Sequence, residues 1–222
     1  MMIVAFFLWG LAGCSPRHLS KQADMLAIGD SILEANVGRG GSIPEIAARR
    51  TGHRVRNVAV SGAWATPGGG VQTIPEQRIA GKWAWIFMNG GANDLNGRCR
   101  CTDCASVMDE LITRDAQRGV LVNIVEEALA TGARVVFLGY PEMPKGAKYG
   151  FDRCGDELAE HRKRVSRLAD RLPGMWFVDA SRIAGRDDLP LFIEDRVHPS
   201  IEGSRMMGEA AAKAILQAEG RR

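Results

Sequence analysis

Short apolar runs alternate along this chain with longer stretches in which apolar positions recur every three or four residues. Met25–Ile28 is wholly apolar and ends at Gly29. Arg54–Val60 carries Val55, Val58 and Val60, and Trp83–Met88 is nearly all apolar. Arg134–Leu138 and Met175–Val178 repeat the pattern. Unbroken apolar runs of this length fit strands buried on both faces, as in a parallel sheet. The stretches between them carry helical signals. Ser42–Arg50 opens with Ser42 and Pro44, has Glu45 three positions after Ser42, and closes at Gly52, which are start and stop signals of a helix. Residues 117–131 place Leu121, Ile124, Val125, Ala128 and Leu129 on one stripe and stop at Gly132. Residues 156–172 and 201–217 show the same periodicity. Strands alternating with helices predict an α/β fold, a three-layer sandwich around a central parallel sheet of about five strands. In such sheets the ligand site lies beyond the carboxyl ends of the strands, so the residues just after each apolar run are where chemistry is expected.

Composition narrows the picture only a little. With 45% hydrophobic and 25% charged residues over 222 positions, the chain has the balance of one globular domain with a full core. A net charge of +3, with no basic stripe interleaved with aromatics, gives no reason to expect nucleic acid. The Arg-rich stretch 162–171 reads as a solvated helix face. The first thirteen residues, MMIVAFFLWGLAG, have no charged side chain and are too short to span a bilayer. They read as the apolar part of an export signal. Leu11-Ala12-Gly13-Cys14 resembles the bacterial lipoprotein signal, in which the cysteine is lipidated and the preceding peptide removed, although the usual Lys or Arg ahead of the apolar stretch is missing. The expected organisation is an export signal over 1–14, a polar tether over 15–23 and one domain over 24–222. The expected location is the bacterial envelope, periplasmic or membrane-anchored, with plain secretion as the runner-up.

Behind an export signal, Cys99, Cys101, Cys104 and Cys154 read as two disulfides with three possible pairings. Cys154 is expected to join the 141–155 stretch to the 99–104 cluster, leaving two cysteines to pair locally. The same tight cluster could serve a zinc site, but paired C-x-x-C knuckles are absent.

Four motifs follow the apolar runs. Gly29-Asp30-Ser31 closes the first, Ser61-Gly62 follows the second, Gly91-Ala92-Asn93-Asp94 follows the third, and Asp195-Arg196-Val197-His198 precedes the last helix. A serine hydroxyl is a weak nucleophile and needs a base within reach. Of the four histidines, only His198 has a carboxylate three positions before it. On a tight loop, Asp195 can fold back onto one ring nitrogen and leave the other for the serine. The rival nucleophile elbow G-x-S-x-G does not occur in the chain.

Together these blocks resemble the SGNH (GDSL-like) hydrolases, whose marks are a Ser in Gly-Asp-Ser, a Gly, an Asn in Gly-x-Asn-Asp and a His in Asp-x-x-His. The resemblance spans roughly residues 24–216. It implies a flavodoxin-like sheet, Ser31 as nucleophile, His198 as base and Asp195 as its orienting partner. It also implies an oxyanion hole made by the backbone N–H groups of Ser31 and Gly62 and the Asn93 amide, with neither cofactor nor metal. The implied reaction is cleavage of acyl or acetyl esters through an acyl-enzyme. Acyl transfer to envelope glycans from the same site, or a silent glycan-binding lipoprotein, are the alternatives. The expected partners are a small-molecule or glycan ester and, through a lipid on Cys14, a membrane; the chain is expected to be a monomer. The loops 64–74, 96–118 and 141–155 are expected to rise over the site.

If Cys14 carries the anchor, Cys14→Ser expressed in a bacterial host moves the protein from the membrane fraction to the soluble one, because several acyl chains hold a protein firmly where one alone is marginal. Wild-type protein found soluble and free of lipid by mass spectrometry would count against the anchor.

Overall fold

The apolar runs become five strands: β1 Met25–Ile28, β2 Val55–Asn57, β3 Trp85–Met88, β4 Arg134–Leu138 and β5 Met175–Val178. In the computed structural model, which describes residues 22–221, they form one parallel sheet in the order β2-β1-β3-β4-β5. Met25 lies opposite Val55 on one side and Trp85 on the other. β1 and β3 are buried along their whole length, as unbroken apolar runs in the middle of a parallel sheet must be. The edge strands β2 and β5 are only partly buried, and β2 is shorter than the run Arg54–Val60. The chain leaves the sheet at Val58, whose N–H still reaches the Ala27 carbonyl at 2.9 Å.

Seven helices accompany the sheet: α1 Ser31–Glu34, α2 Ile43–Thr51, α3 Ala92–Cys99, α4 Ala105–Leu111, α5 Val120–Ala130, α6 Gly155–Arg171 and α7 Ile201–Ala218. The sheet order reverses direction after β2. Right-handed crossovers therefore put α2 on one face and α5 and α6 on the other. α7 packs on α2 and completes the first layer. The start signals act as read: the Ser42 hydroxyl accepts the Glu45 N–H, and the Glu45 carboxylate accepts the Ser42 N–H at 3.0 Å. The α2–α7 contact is close because Gly208 has no side chain; a Cβ there would lie 2.7 Å from the Ile46 Cβ and 2.9 Å from the Ile43 carbonyl oxygen.

At the end of the sheet where β1 and β3 begin, His53 bridges two acids. Its Nδ1 lies 2.9 Å from Asp24 and its Nε2 2.8 Å from Glu219, which also accepts the Trp85 indole N–H at 2.9 Å. Burial pushes the Glu219 carboxyl up, but the hydrogen bonds from Trp85, His53 and Arg221 outweigh it and hold the group at about 2.

Two expectations need correction. The stretch 96–118 is not one loop: it contains the second half of α3 and all of α4. Val107, Met108 and Leu111 turn inward from α4 into the core, and that buried stripe stabilises a helix too short to reveal itself by periodicity. Nor is 162–171 simply a solvated face. Arg164 is buried, with its side chain 3% exposed, and bonds Asp109, Glu160 and the Ile112 carbonyl. Arg167 and Arg171 reach the carbonyls of Arg114 and Ala116. A guanidinium fork can satisfy loop carbonyls that no sheet or helix can reach.

The cysteines pair as Cys99–Cys104 and Cys101–Cys154, so Cys154 does join the 141–155 stretch to the cluster and the other pair is local. Cys14, the apolar stretch before it and most of the tether lie outside the described residues. Among the described residues no helix is long and apolar enough to cross a membrane.

The two bridges span very different lengths of chain, 53 and 5 residues. A cross-link restricts the unfolded chain more when it closes a longer loop, so replacing Cys101 and Cys154 by serine should cost about 4 kcal/mol and replacing Cys99 and Cys104 about 2. Urea unfolding of the two double variants measures this, and equal losses would contradict the ranking.

Candidate active site

Three of the motifs follow a strand, and the fourth, Asp195–His198, lies just ahead of α7. Gly29 leaves β1 and is clasped by Gln77, which accepts its N–H at 2.7 Å and donates to its carbonyl at 2.9 Å. Any side chain there would displace Asn89, because a Cβ would lie 1.9 Å from the Asn89 Oδ1. Asp30 is buried and caps α1 by accepting the Ile32 N–H at 3.0 Å. Asn89, the residue after β3, accepts the Asp30 N–H at 2.9 Å and donates to its carboxylate at 2.7 Å. Tyr140, just beyond β4, donates to the other carboxylate oxygen at 2.5 Å and accepts the Ala92 N–H at 3.2 Å. Burial raises the Asp30 carboxyl, and the bonds from Tyr140, Ile32 and Asn89 oppose the rise. Burial, joined by the Asp30 charge, lifts Tyr140 well above the ordinary phenol range, so it remains a donor.

Ser31 follows as the first residue of α1 and is half-buried. Asn36 lies just beyond α1, and its side chain donates to the Pro199 carbonyl at 3.1 Å and to the Ser204 hydroxyl at 2.9 Å. That bond ties the Ser31 turn to the loop carrying His198. Within the loop, Asp195 accepts the backbone N–H groups of Val197 and His198 at 2.9 and 3.0 Å through one oxygen. Its other oxygen holds the His198 Nδ1 at 2.7 Å. Burial pushes the Asp195 carboxyl up, but the His198 ring bond and the two backbone bonds outweigh it and hold the group below its ordinary value. The His198 Nε2 has no hydrogen-bond partner among the described residues.

The remaining donors come from the second and third strands. Gly62 turns with φ +77°, a left-handed conformation that favours glycine. Asn93 donates to the Ala63 carbonyl at 3.0 Å, leaving its second amide hydrogen free. Its neighbour Asp94 accepts the N–H groups of Ala65 and Thr66 at 2.8 and 2.9 Å. The first turn of α3 therefore fixes the Gly62 turn. Among the described residues the N–H groups of Ser31 and Gly62 have no acceptor.

Ser31 and His198 both line an open cleft of about 600 Å³, together with Glu34, Asn36, Asn57, Ser61 and Ile193. No hydrogen bond joins the Ser31 hydroxyl to the His198 ring, although both line the cleft. A smaller apolar cavity of about 300 Å³, lined by Leu26, Ile28, Trp83, Ile86 and Ile124, lies where the β2–β3 crossover has no α-helix, and it contains none of the motif residues. Among the described residues no three His, Cys, Asp or Glu side chains converge as a metal site.

The sequence motifs thus locate Ser31, Gly62, Asn93, Asp195 and His198 at one edge of the sheet. They do not disclose Gln77, Asn89, Tyr140 or Asn36, which hold that edge together. Asn89 and Tyr140 could be suspected from position alone, as polar residues just past an apolar strand. Gln77 and Asn36 carry no such signal.

Behind the site, His161 of α6 is fully buried against Tyr140, Phe137 and the backbone of Gly91. Neither ring nitrogen has a hydrogen-bond partner. Burial, helped by the charges of Arg162 and Arg164 and opposed by the Gly90 backbone, pulls it down to about 4.

Known proteins agree with this architecture. The model of the GDSL-like lipase/acylhydrolase family matches residues 27–206. No curated protein matches the chain in sequence. Among solved structures, a carbohydrate esterase family 2 enzyme with its carbohydrate-binding domain, from Corynascus thermopiles (Myceliophthora fergusii), aligns with TM-score 0.61 and 18% identity over 93% of this chain and 69% of that one. A catalytic mutant of Axe2, an acetylxylan esterase from Geobacillus stearothermophilus, aligns with TM-score 0.56 and 18% identity over 89% and 94%. The inhibitor-bound aryl esterase of M. smegmatis aligns with TM-score 0.56 and 14% identity over 89% and 100%. At these identities the likeness is one of fold.

The buried imidazole makes the fold sensitive to acid. His161 stays neutral in the folded protein down to about 4, whereas in the unfolded chain it takes up a proton near 6.5. Its contribution is full above that value and falls as pH drops from 6.5 toward 4, by about 3 kcal/mol. Urea unfolding across this range should show a flatter pH dependence for His161→Leu than for the wild type. Identical slopes would show that His161 is not the group responsible.

Proposed function

The chain belongs to the GDSL-like lipase/acylhydrolase family, and from that premise we propose that it cleaves carboxylic esters, acyl or acetyl, through an acyl-enzyme on Ser31. That it is an ester-hydrolysing enzyme follows from the family. The residue roles rest chiefly on one observation: His198 lines the same cleft as Ser31, with its Nδ1 held by Asp195 and its Nε2 without a partner among the described residues.

In this reading, His198 Nε2 takes the Ser31 proton as Oγ attacks the carbonyl carbon. Asp195, held ionised below its ordinary range, fixes the Nδ1–H tautomer and stabilises the imidazolium that forms. Charge gathers on the former carbonyl oxygen. The free N–H groups of Ser31 and Gly62 and the second hydrogen of the Asn93 amide are fixed donors for it, effective because they need no reorganisation as the charge develops. The tetrahedral adduct collapses, the imidazolium gives its proton to the leaving alcohol, and water repeats the sequence on the acyl-enzyme. Asp30 and Asp94 take no proton in this scheme; each is consumed in hydrogen bonds that shape the turns. The cleft is open and its lining mixes polar and apolar surface in similar amounts, which favours a short acyl group on a polar alcohol, such as acetyl on a polysaccharide. Two disulfides favour an oxidising compartment, consistent with an exported protein carrying lipid on Cys14.

A fluorophosphonate probe should label Ser31 in the wild type and nothing in Ser31→Ala. Ser31→Ala and His198→Ala should each abolish turnover on a chain-length series of p-nitrophenyl esters, because nucleophile and base act as one unit. Asn93→Ala should lower turnover by about 100- to 1000-fold. Labelling that persists in Ser31→Ala, or full activity in His198→Ala, would refute these roles; no turnover and no labelling in the wild type would favour a silent binding protein.

A further inference from the structure

Beside His198, at the border of the cleft, stands an aromatic ring that ester cleavage itself does not require. Tyr149 is 67% exposed, the most exposed large hydrophobic side chain among the described residues. Its ring centroid lies 6.4 Å from that of His198, with the planes inclined at 60°. We propose that the Tyr149 ring is a platform on which a sugar residue of the ester's alcohol part stacks, which makes acylated carbohydrate the substrate class of this site.

The inference rests on the esterase reading, and that reading supplies the side of the cleft concerned. His198 must hand its proton to the departing alcohol, so the alcohol lies beside the imidazole. A ring flanking His198 therefore meets the alcohol and not the acyl group. The ring is also held there at a cost. Tyr149 has φ +61° and ψ +14°, a left-handed conformation unfavourable for a bulky residue. Three links enforce it. The Lys148 N–H donates to the Asp195 carbonyl at 2.9 Å. The Asn96 amide donates to the Tyr149 carbonyl at 2.9 Å. The Cys101–Cys154 bridge closes the far end of the turn Lys148–Arg153. An exposed aromatic pinned to the backbone of the loop that carries the catalytic pair is preorganised, so little freedom is lost when a flat partner binds.

The cleft beside it suits the same partner. Ile193 and Val37, 47% and 37% exposed, add apolar surface at its rim. Asn36, Asn57, Glu34 and Ser61 supply polar groups along it. A pyranose presents an apolar C–H face and an edge of hydroxyls, which is the pairing these walls offer. A long acyl chain would need a continuous apolar wall, which the mixed lining lacks.

The experiment compares wild type, Tyr149→Ala, Tyr149→Phe and Tyr149→Trp on acetylated cello-, xylo- and chito-oligosaccharides and on ethyl acetate, whose alcohol has no face to stack. Binding of the same oligosaccharides to Ser31→Ala and to Ser31→Ala/Tyr149→Ala is measured by calorimetry. In Tyr149→Ala the ratio of kcat/KM for the best oligosaccharide to that for ethyl acetate should fall about tenfold, the scale of one aromatic contact, with the change carried by KM. Tyr149→Phe and Tyr149→Trp should keep the wild-type ratio, and Kd in the Ser31→Ala background should rise by about the same factor. Equal losses on both substrates, a change confined to kcat, or oligosaccharide binding that is absent or indifferent to Tyr149 would overturn the platform. Failure of the wild type to cleave any ester would sink the esterase reading instead, and the binding measurement would still decide the role of Tyr149.

Discussion

The buried carboxylate of Asp30 joins three strand ends at one point. It caps the helix that begins with Ser31, takes an amide hydrogen from Asn89 beyond β3, and takes the phenol hydrogen of Tyr140 beyond β4. A charge in this position is unfavourable unless its oxygens are satisfied. Three donors from three separate parts of the chain satisfy it, and each is thereby fixed in turn. Tyr140 passes the constraint to α3 by accepting the Ala92 N–H, immediately before Asn93 and Asp94. Ser31 and Asn93, the proposed nucleophile and one proposed oxyanion donor, are therefore set by one hydrogen-bond network and not by separate loops. Such a network keeps its geometry only while every member is satisfied.

The His198 loop is not part of that network. It is built on its own Asp195, which collects two backbone N–H groups and the imidazole, and it is moored to the Ser31 turn through Asn36. This division suits the proposed roles, in which Ser31 as nucleophile must be aligned with His198 as base. The Ser31 side is anchored on the buried Asp30, and the His198 side is positioned by a few bonds across an open cleft. The exposed Tyr149 belongs to the second half, since its turn hangs from the Asp195 carbonyl.

The region least like a simple α/β crossover, from Asn93 to Arg118, is held by covalent and ionic means. Two disulfides and three arginines of α6 fasten α3, α4 and the loop after them. Segments of this kind have little sheet or long helix to order them, so cross-links and guanidinium–carbonyl bonds replace the missing backbone pairing.

The sequence by itself determined the five strands, the long helices and the motif residues gathered at one sheet edge. Those features are local: an apolar run, a 3.6-residue stripe or an Asp three places before a His is written in neighbouring residues, and the parallel architecture carries each motif to the same edge. Only the tertiary structure decided the rest. α4 exists because Val107, Met108 and Leu111 find a core to enter. Arg164 is buried because the distant α4 and the residue just after it offer it Asp109 and the Ile112 carbonyl. Cys101 chose Cys154 across 53 residues, Gln77 reached Gly29 across 48, and Tyr149 came to stand beside His198. Each of these depends on which surfaces meet when the layers close, and the separations involved are too long for any local pattern to encode.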